Sequence, residues 1–93
     1  MLFMVIEGFR NRDPAPIGAR FARSGRMLPE GVRYCASWVD PVGARCFQLM
    51  EADSRDEIDR WASRWSDLVD FEIVPVLTSQ AYWAHSDAGS GPG

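Results

Sequence analysis

Met4-Val5-Ile6-Glu7-Gly8 and Gln48-Leu49-Met50-Glu51-Ala52 decide the fold, because they read as one phrase written twice. Each is a short apolar run that ends in a glutamate. Each is followed within a few residues by an aspartate and a helical pattern, and then by another apolar run. That is β-α-β twice in 93 residues, one domain's length. The pattern specifies an architecture and leaves the chemistry open.

Working outward, strand 1 is expected over about Leu2 to Phe9. Asp13 can cap a first helix with Pro14 at its first position. Ile17, Phe21 and Leu28 share a stripe, Gly25 offers a stop, and Pro29-Glu30-Gly31 reads as a turn. Strand 2 is expected over Val32 to Val39. Asp40-Pro41-Val42-Gly43 suits a type I turn, and strand 3 follows from Arg45 to Glu51, closing a hairpin. Ser54-Arg55-Asp56-Glu57 fits a capping box for helix 2. There Ile58, Trp61, Ala62, Trp65, Leu68 and Val69 recur at helical spacing, and Asp56 and Arg60 stand four apart on the wet side. Strand 4 spans Phe71 to Leu77, and Pro75 within it demands an edge position. The folded domain is therefore expected over residues 1–78. Residues 79–93 read as a flexible tail, with Tyr82 and Trp83 as a possible anchor.

The order β-α-β-β-α-β with right-handed crossovers gives a ferredoxin-like plait, an α+β fold. Its four-stranded antiparallel sheet has order 4-1-3-2, with strands 1 and 3 at the centre and read as parallel neighbours. Two helices cover one face only, yet the strands are apolar on both. Leu2 to Ile6 is unbroken, and strand 3 offers Phe47 and Leu49 on one side, Cys46 and Met50 on the other. Strands apolar on both faces are usually buried on both. A second copy packed sheet to sheet, a twofold homodimer, meets that need.

A net charge of −3 argues against nucleic acid. All ten basic residues are arginine, as a GC-rich bacterial codon bias produces. No apolar stretch reaches membrane-spanning length, and Met1 to Ile6 lacks the flanks of a signal peptide. Two cysteines, Cys35 and Cys46, are too few for a disulfide framework, so a reduced, cytoplasmic protein is expected.

Several blocks resemble a small bacterial family of unknown function. They are Met1 to Glu7, Gly25-Arg26-Met27-Leu28-Pro29-Glu30-Gly31, Arg45 to Glu51 and Arg64-Trp65-Ser66-Asp67-Leu68-Val69. That family is similar to the dimeric α/β-barrel proteins of ferredoxin-like fold. The resemblance covers residues 1 to about 78 and implies dimerisation. The wider superfamily includes cofactor-free monooxygenases, polyketide cyclases, muconolactone isomerases, haem proteins and small binding proteins, so fold alone does not choose a function. The haem branch is disfavoured because the only histidine, His85, stands in the tail.

Glu7 and Glu51 are the candidate catalytic pair. They occupy matching places in two strands expected to lie about 4.8 Å apart. Two carboxylates sharing a face would raise one pKa toward neutrality, as acid–base chemistry requires. The plain alternative is that each is solvated or paired with arginine. Arg26 can hold an anionic group, or form a structural ion pair. One hairpin register opposes Trp38 to Cys46, Ala36 to Gln48 and Tyr34 to Met50. It puts Tyr34, Trp38, Gln48 and Met50 on one face, suited to a flat organic ligand or to dimer packing. A bulge at Gly43 would reassign those faces. Trp61 and Trp65 read most simply as core. The resemblance lets one indole, Trp65, line a cavity between helix and sheet.

No spacing of His and Cys suits a metal, no glycine-rich phosphate loop is present, and Ser37 has no histidine to activate it, so no cofactor or metal is expected. Two functions follow. One is a homodimer binding a small hydrophobic or aromatic ligand. The other is a cofactor-independent enzyme of secondary metabolism, monooxygenase-, cyclase- or isomerase-like, with Glu7 or Glu51 moving a proton. A polar-lined void of about 300 Å³ or more would favour the enzyme.

Overall fold

A computed structural model describes residues 1–84. His85 and the Ser86 to Gly93 stretch, read above as tail, lie outside the described residues.

Four strands form one antiparallel sheet: β1 (Leu2–Phe9), β2 (Arg33–Asp40), β3 (Arg45–Glu51) and β4 (Val69–Val76). Their order is β2-β3-β1-β4, with α1 (Ala15–Ser24) between β1 and β2 and α2 (Arg55–Ala62) between β3 and β4. This is the expected ferredoxin-like α+β plait. Pro75 stands on β4, an edge strand, where its missing N–H interrupts no second ladder.

One expectation within the sheet is overturned. β1 and β3 are antiparallel. A right-handed β1-α1-β2 crossover makes β1 and β2 co-directional, and the hairpin then turns β3 back between them. Leu2 faces Glu51 and Glu7 faces Cys46 across that pair. The ladder partners fix two faces. Phe3, Val5, Glu7, Cys46, Gln48 and Met50 share one with Phe71 and Ile73; Leu2, Met4, Ile6, Phe47 and Leu49 share the other with Val74 and Val76.

The first face carries the helices. α2 lays Ile58, Trp61 and Ala62 onto Phe3, Val5 and Met50, with Trp65 just beyond its end. Phe3, Val5, Met50, Ile58 and Val69 are wholly buried, each gaining about 1.5–3 kcal/mol from leaving water. Trp61 meets Phe71 edge to face at 5.6 Å.

Helix ends follow local chemistry. Asp13 Oδ1 accepts the Ala15 N–H at 3.0 Å, and Gly25 closes α1 at φ 65°, a region open to glycine. Ser54 holds the extended N-cap backbone of α2, but its side chain makes no capping bond, so the expected capping box is absent. The α-helix stops at Ala62, short of the expected run to Val69. Trp65 N–H to Ala62 O and Leu68 N–H to Trp65 O are tighter, three-residue steps that hand the chain to β4. On α2 the four-apart ion pair is Arg55–Asp59 at 3.6 Å, where Asp56–Arg60 was expected. A further short helix, α3 (Ser79–Ala84), follows β4 within the stretch read as tail. Among the described residues no helix is long and apolar enough to cross a membrane.

Candidate functional site

The hairpin register sorts the candidate residues. Asp40 pairs with Arg45 across a four-residue loop, so Val39 faces Cys46, Ser37 faces Gln48 and Trp38 faces Phe47. The ladder then slips between Tyr34 and Ala36, and Tyr34 faces Met50. Cys35 is the bulged residue. The expected Tyr34–Met50 pair is therefore present, whereas the Trp38–Cys46 and Ala36–Gln48 pairs are not. Because side chains alternate, a one-residue difference sends Trp38 to the far face of the sheet, where it is 56% exposed. The bulge sits at Cys35 and not at Gly43.

The carboxylates separate as well. Glu51 sits at the opposite end of the sheet from Glu7 and on the other face, hydrogen-bonded to Arg33. The expected paired carboxylates do not exist. An antiparallel pairing of β1 and β3 sends matching sequence positions to opposite ends, and the odd sum of the register sends them to opposite faces.

Glu7 remains. It is half-buried on the helix face, opposite Cys46 on one side and Phe71 on the other. It lines a cavity of about 60 Å³ with Ile17 and Phe21 of α1, Arg26, Trp61 and Trp65. Loss of solvation raises its pKa from 4.5 to about 7, and the Arg26 charge pulls partly the other way. Burial, then the neighbouring Glu7 charge, pushes the Cys46 thiol up to about 11, so Cys46 is a neutral, unreactive thiol.

Arg26 is placed from both sides. Its carbonyl accepts both indole N–H groups, from Trp61 Nε1 at 2.9 Å and Trp65 Nε1 at 3.1 Å. Arg64 adds a bond from its guanidinium to the Met27 carbonyl at 2.7 Å. These bonds tie the turn after α1 to α2 and to the turn that follows it. The Arg26 guanidinium then lies 3.7 Å from the Tyr34 ring centre and 5.2 Å from that of Phe21. Arg20 latches α1 to the same region, bonding both Asp67 carboxylate oxygens at 2.7 Å and lying over the Trp65 ring.

A second polar element adjoins these groups. Tyr34 and Ser37 share a 2.8 Å hydrogen bond between hydroxyls. Buried Gln48, opposite Ser37, gives its amide N–H only to Met50 Sδ at 2.8 Å. Five of the seven expected site residues thus lie on this side of the sheet. Glu7, Arg26 and Trp65 meet at the cavity, Tyr34 touches Arg26, and Gln48 stands one same-face step from Glu7. Trp38 and Glu51 do not join them. Phe21 and Trp61, read as helix stripe and core, also line the cavity. Their spacing carried no other signal.

A larger cleft than the one at Glu7 lies elsewhere. About 470 Å³ opens between α3 and the edge of the sheet, lined by Leu2, Pro75, Val76, Leu77, Tyr82 and Trp83 among others. Its described lining has volume but no carboxylate or basic side chain. Among the described residues no three His, Cys, Asp or Glu side chains cluster as metal ligands would.

Fold and site together define a ferredoxin-like α+β domain with a half-buried carboxylate beside an arginine under its first helix. The chain belongs to the family described as domain of unknown function DUF3303, whose model matches residues 1–89. No curated protein and no solved structure matches the chain.

Proposed function

We propose that this protein is a homodimeric small-molecule-binding protein of the dimeric α/β-barrel type, with its ligand site in the pocket beneath α1. The observation that carries the reading is Glu7. A carboxylate half-buried among Phe21, Trp61 and Trp65, and free of direct ion pairing among the described residues, costs stability and makes sense where a ligand meets it. The cavity is small, so it suits one functional group of the ligand, with the remainder passing exposed Phe21.

The uncovered sheet face supports the dimer. Leu2, Met4, Ile6, Phe47, Leu49 and Trp38 make it apolar, while α1 and α2 lie on the opposite side. A second copy packed against it would remove that surface from water. Sedimentation of the wild type and of Leu49→Asp tests this. A dimer that Leu49→Asp dissociates is expected; a monomeric wild type overturns the assembly.

A second reading, a cofactor-independent enzyme, draws on the same residue, though its cavity of about 60 Å³ falls below the void of about 300 Å³ that would favour it. A carboxyl titrating near pH 7 is matched to proton transfer at neutrality. Glu7 alone would carry that role. Turnover of an aromatic or polyketide-like substrate that Glu7→Gln abolishes, with the dimer intact, is what this reading requires. Full activity in Glu7→Gln removes it.

A further inference from the structure

The reading above leaves the ligand's chemistry open, and two groups that do not meet supply it. Glu7 and Arg26 line one cavity and feel each other's charge, yet no ion pair within 4.0 Å joins them. The Arg26 guanidinium is held by its faces, stacked on Tyr34 and near Phe21, and its backbone is pinned through the carbonyl by two indoles. Among the described residues its N–H edge donates no hydrogen bond. A guanidinium stacked on a ring and unpaired at its edge is the usual arrangement for gripping a carboxylate with two parallel bonds.

We propose that the pocket takes the head group of a small organic carboxylate between Arg26 and Glu7, and that Glu7 takes up a proton as the ligand binds. This rests on the pocket beneath α1 being the ligand site.

Charge decides the protonation. Two carboxylates facing one guanidinium in a site walled by Ile17, Phe21, Trp61 and Trp65 would repel each other where water screens poorly. A neutral Glu7 removes the repulsion and donates its O–H to the incoming anion, the arrangement of two acids sharing one proton. Proton uptake at Glu7 is accessible because burial already holds its pKa near 7. Among the described residues no other group facing Glu7 can take that proton. Cys46 is already a thiol and Phe71 has no proton to exchange; α1 presents Ile17 and Phe21, α2 presents Trp61, and the turn beyond α2 presents Trp65. Asp70 and Glu72 face the other side, opposite Gly8 and Ile6.

Size and shape agree. A cavity of about 60 Å³ is small, with room for a head group and not for a whole ligand. The apolar walls would hold the first carbons, and the body would leave past Phe21. A cationic ligand fits less well, since Arg26 would repel it.

The test is a nuclear magnetic resonance titration of the full chain with benzoate, butylammonium and 1-butanol at pH 6 and pH 8, together with calorimetry in two buffers of different ionisation enthalpy. Benzoate is expected to shift the Trp61 and Trp65 indole N–H signals and to bind with uptake of close to one proton at pH 8. Its Kd should rise by about tenfold per pH unit above 7. Arg26→Gln should lose benzoate binding, and in Glu7→Gln the Kd should no longer change between the two pH values. Benzoate binding with no proton uptake, or butylammonium binding that strengthens as pH rises, overturns the inference. If butylammonium or 1-butanol shifts the indoles and benzoate does not, the small-molecule pocket stands and its anionic ligand falls. If none of the three perturbs those signals, both fail.

Discussion

Replacing Glu7 by glutamine should stabilise the fold at alkaline pH and leave it nearly unchanged in acid. Glu7 titrates near 4.5 in an unfolded chain and at about 7 in the fold, where burial disfavours the charge. A raised carboxyl pKa reverses the usual sign. Below about pH 4.5 both states hold the proton and Glu7 contributes nothing. Between 4.5 and 7 the unfolded chain gives up its proton while the native state keeps it, so stability falls as pH rises. Above about 7 the loss is complete. At 1.36 kcal/mol per unit the full shift, which already includes the Arg26 charge, corresponds to about 3 kcal/mol, an upper figure because water reaches the half-buried carboxylate and screens part of it. Glutamine has nearly the same shape and no charge to desolvate. Urea unfolding followed by tryptophan fluorescence, at fixed protein concentration, gives the comparison at pH 4.5 and pH 8. The expected result is near-equal stability at the lower pH and a gain of up to about 3 kcal/mol for Glu7→Gln at the higher, with unchanged m-values. A variant less stable than wild type at pH 8, or a difference constant across pH, would refute the burial of the charge.

Three further outcomes concern the frame of the fold. Trp61→Phe removes one of two N–H donors to the Arg26 carbonyl and some core volume, and should cost about 1–3 kcal/mol. Trp61→Phe combined with Trp65→Phe leaves that carbonyl without either donor, so the double variant should cost more than the two single changes together in the same unfolding assay. Gly31→Ala forces a side chain onto a φ of 89° and drives its Cβ into the Glu57 carboxylate, which must swing away. A loss of about 1–2 kcal/mol in thermal unfolding is expected.

The limits of sequence reading show at particular residues. Asp13, Gly25, the Asp40 turn and Pro75 were legible because each acts locally: a cap, a stop, a turn and an edge, all within a few residues. Asp40 illustrates this, since its carboxylate accepts the Val42 and Gly43 N–H groups at 3.0 and 2.9 Å and is held below the usual carboxylate range by them. Glu51 and Trp38 were misplaced because both depend on pairing between distant strands. The direction of β3 against β1 separated the two glutamates. The loop of the hairpin and the bulge at Cys35 then set Trp38 on one face while returning Tyr34 to the other.

Glu7 marks the same boundary within one side chain. The repeated apolar phrase put a glutamate near the end of a central strand, and the periodicities of two and of 3.6 residues determined that strands would meet helices around it. Period and local capping are properties of contiguous residues, so the order of elements, the sheet and its edges follow from the chain itself. What Glu7 can do was decided by groups brought from Phe21, Arg26, Trp61, Trp65 and Phe71. Only their assembly strips part of the water from the carboxylate and stands a guanidinium beside it without pairing. Desolvation is a property of the surroundings in three dimensions, and no spacing along the chain encodes it.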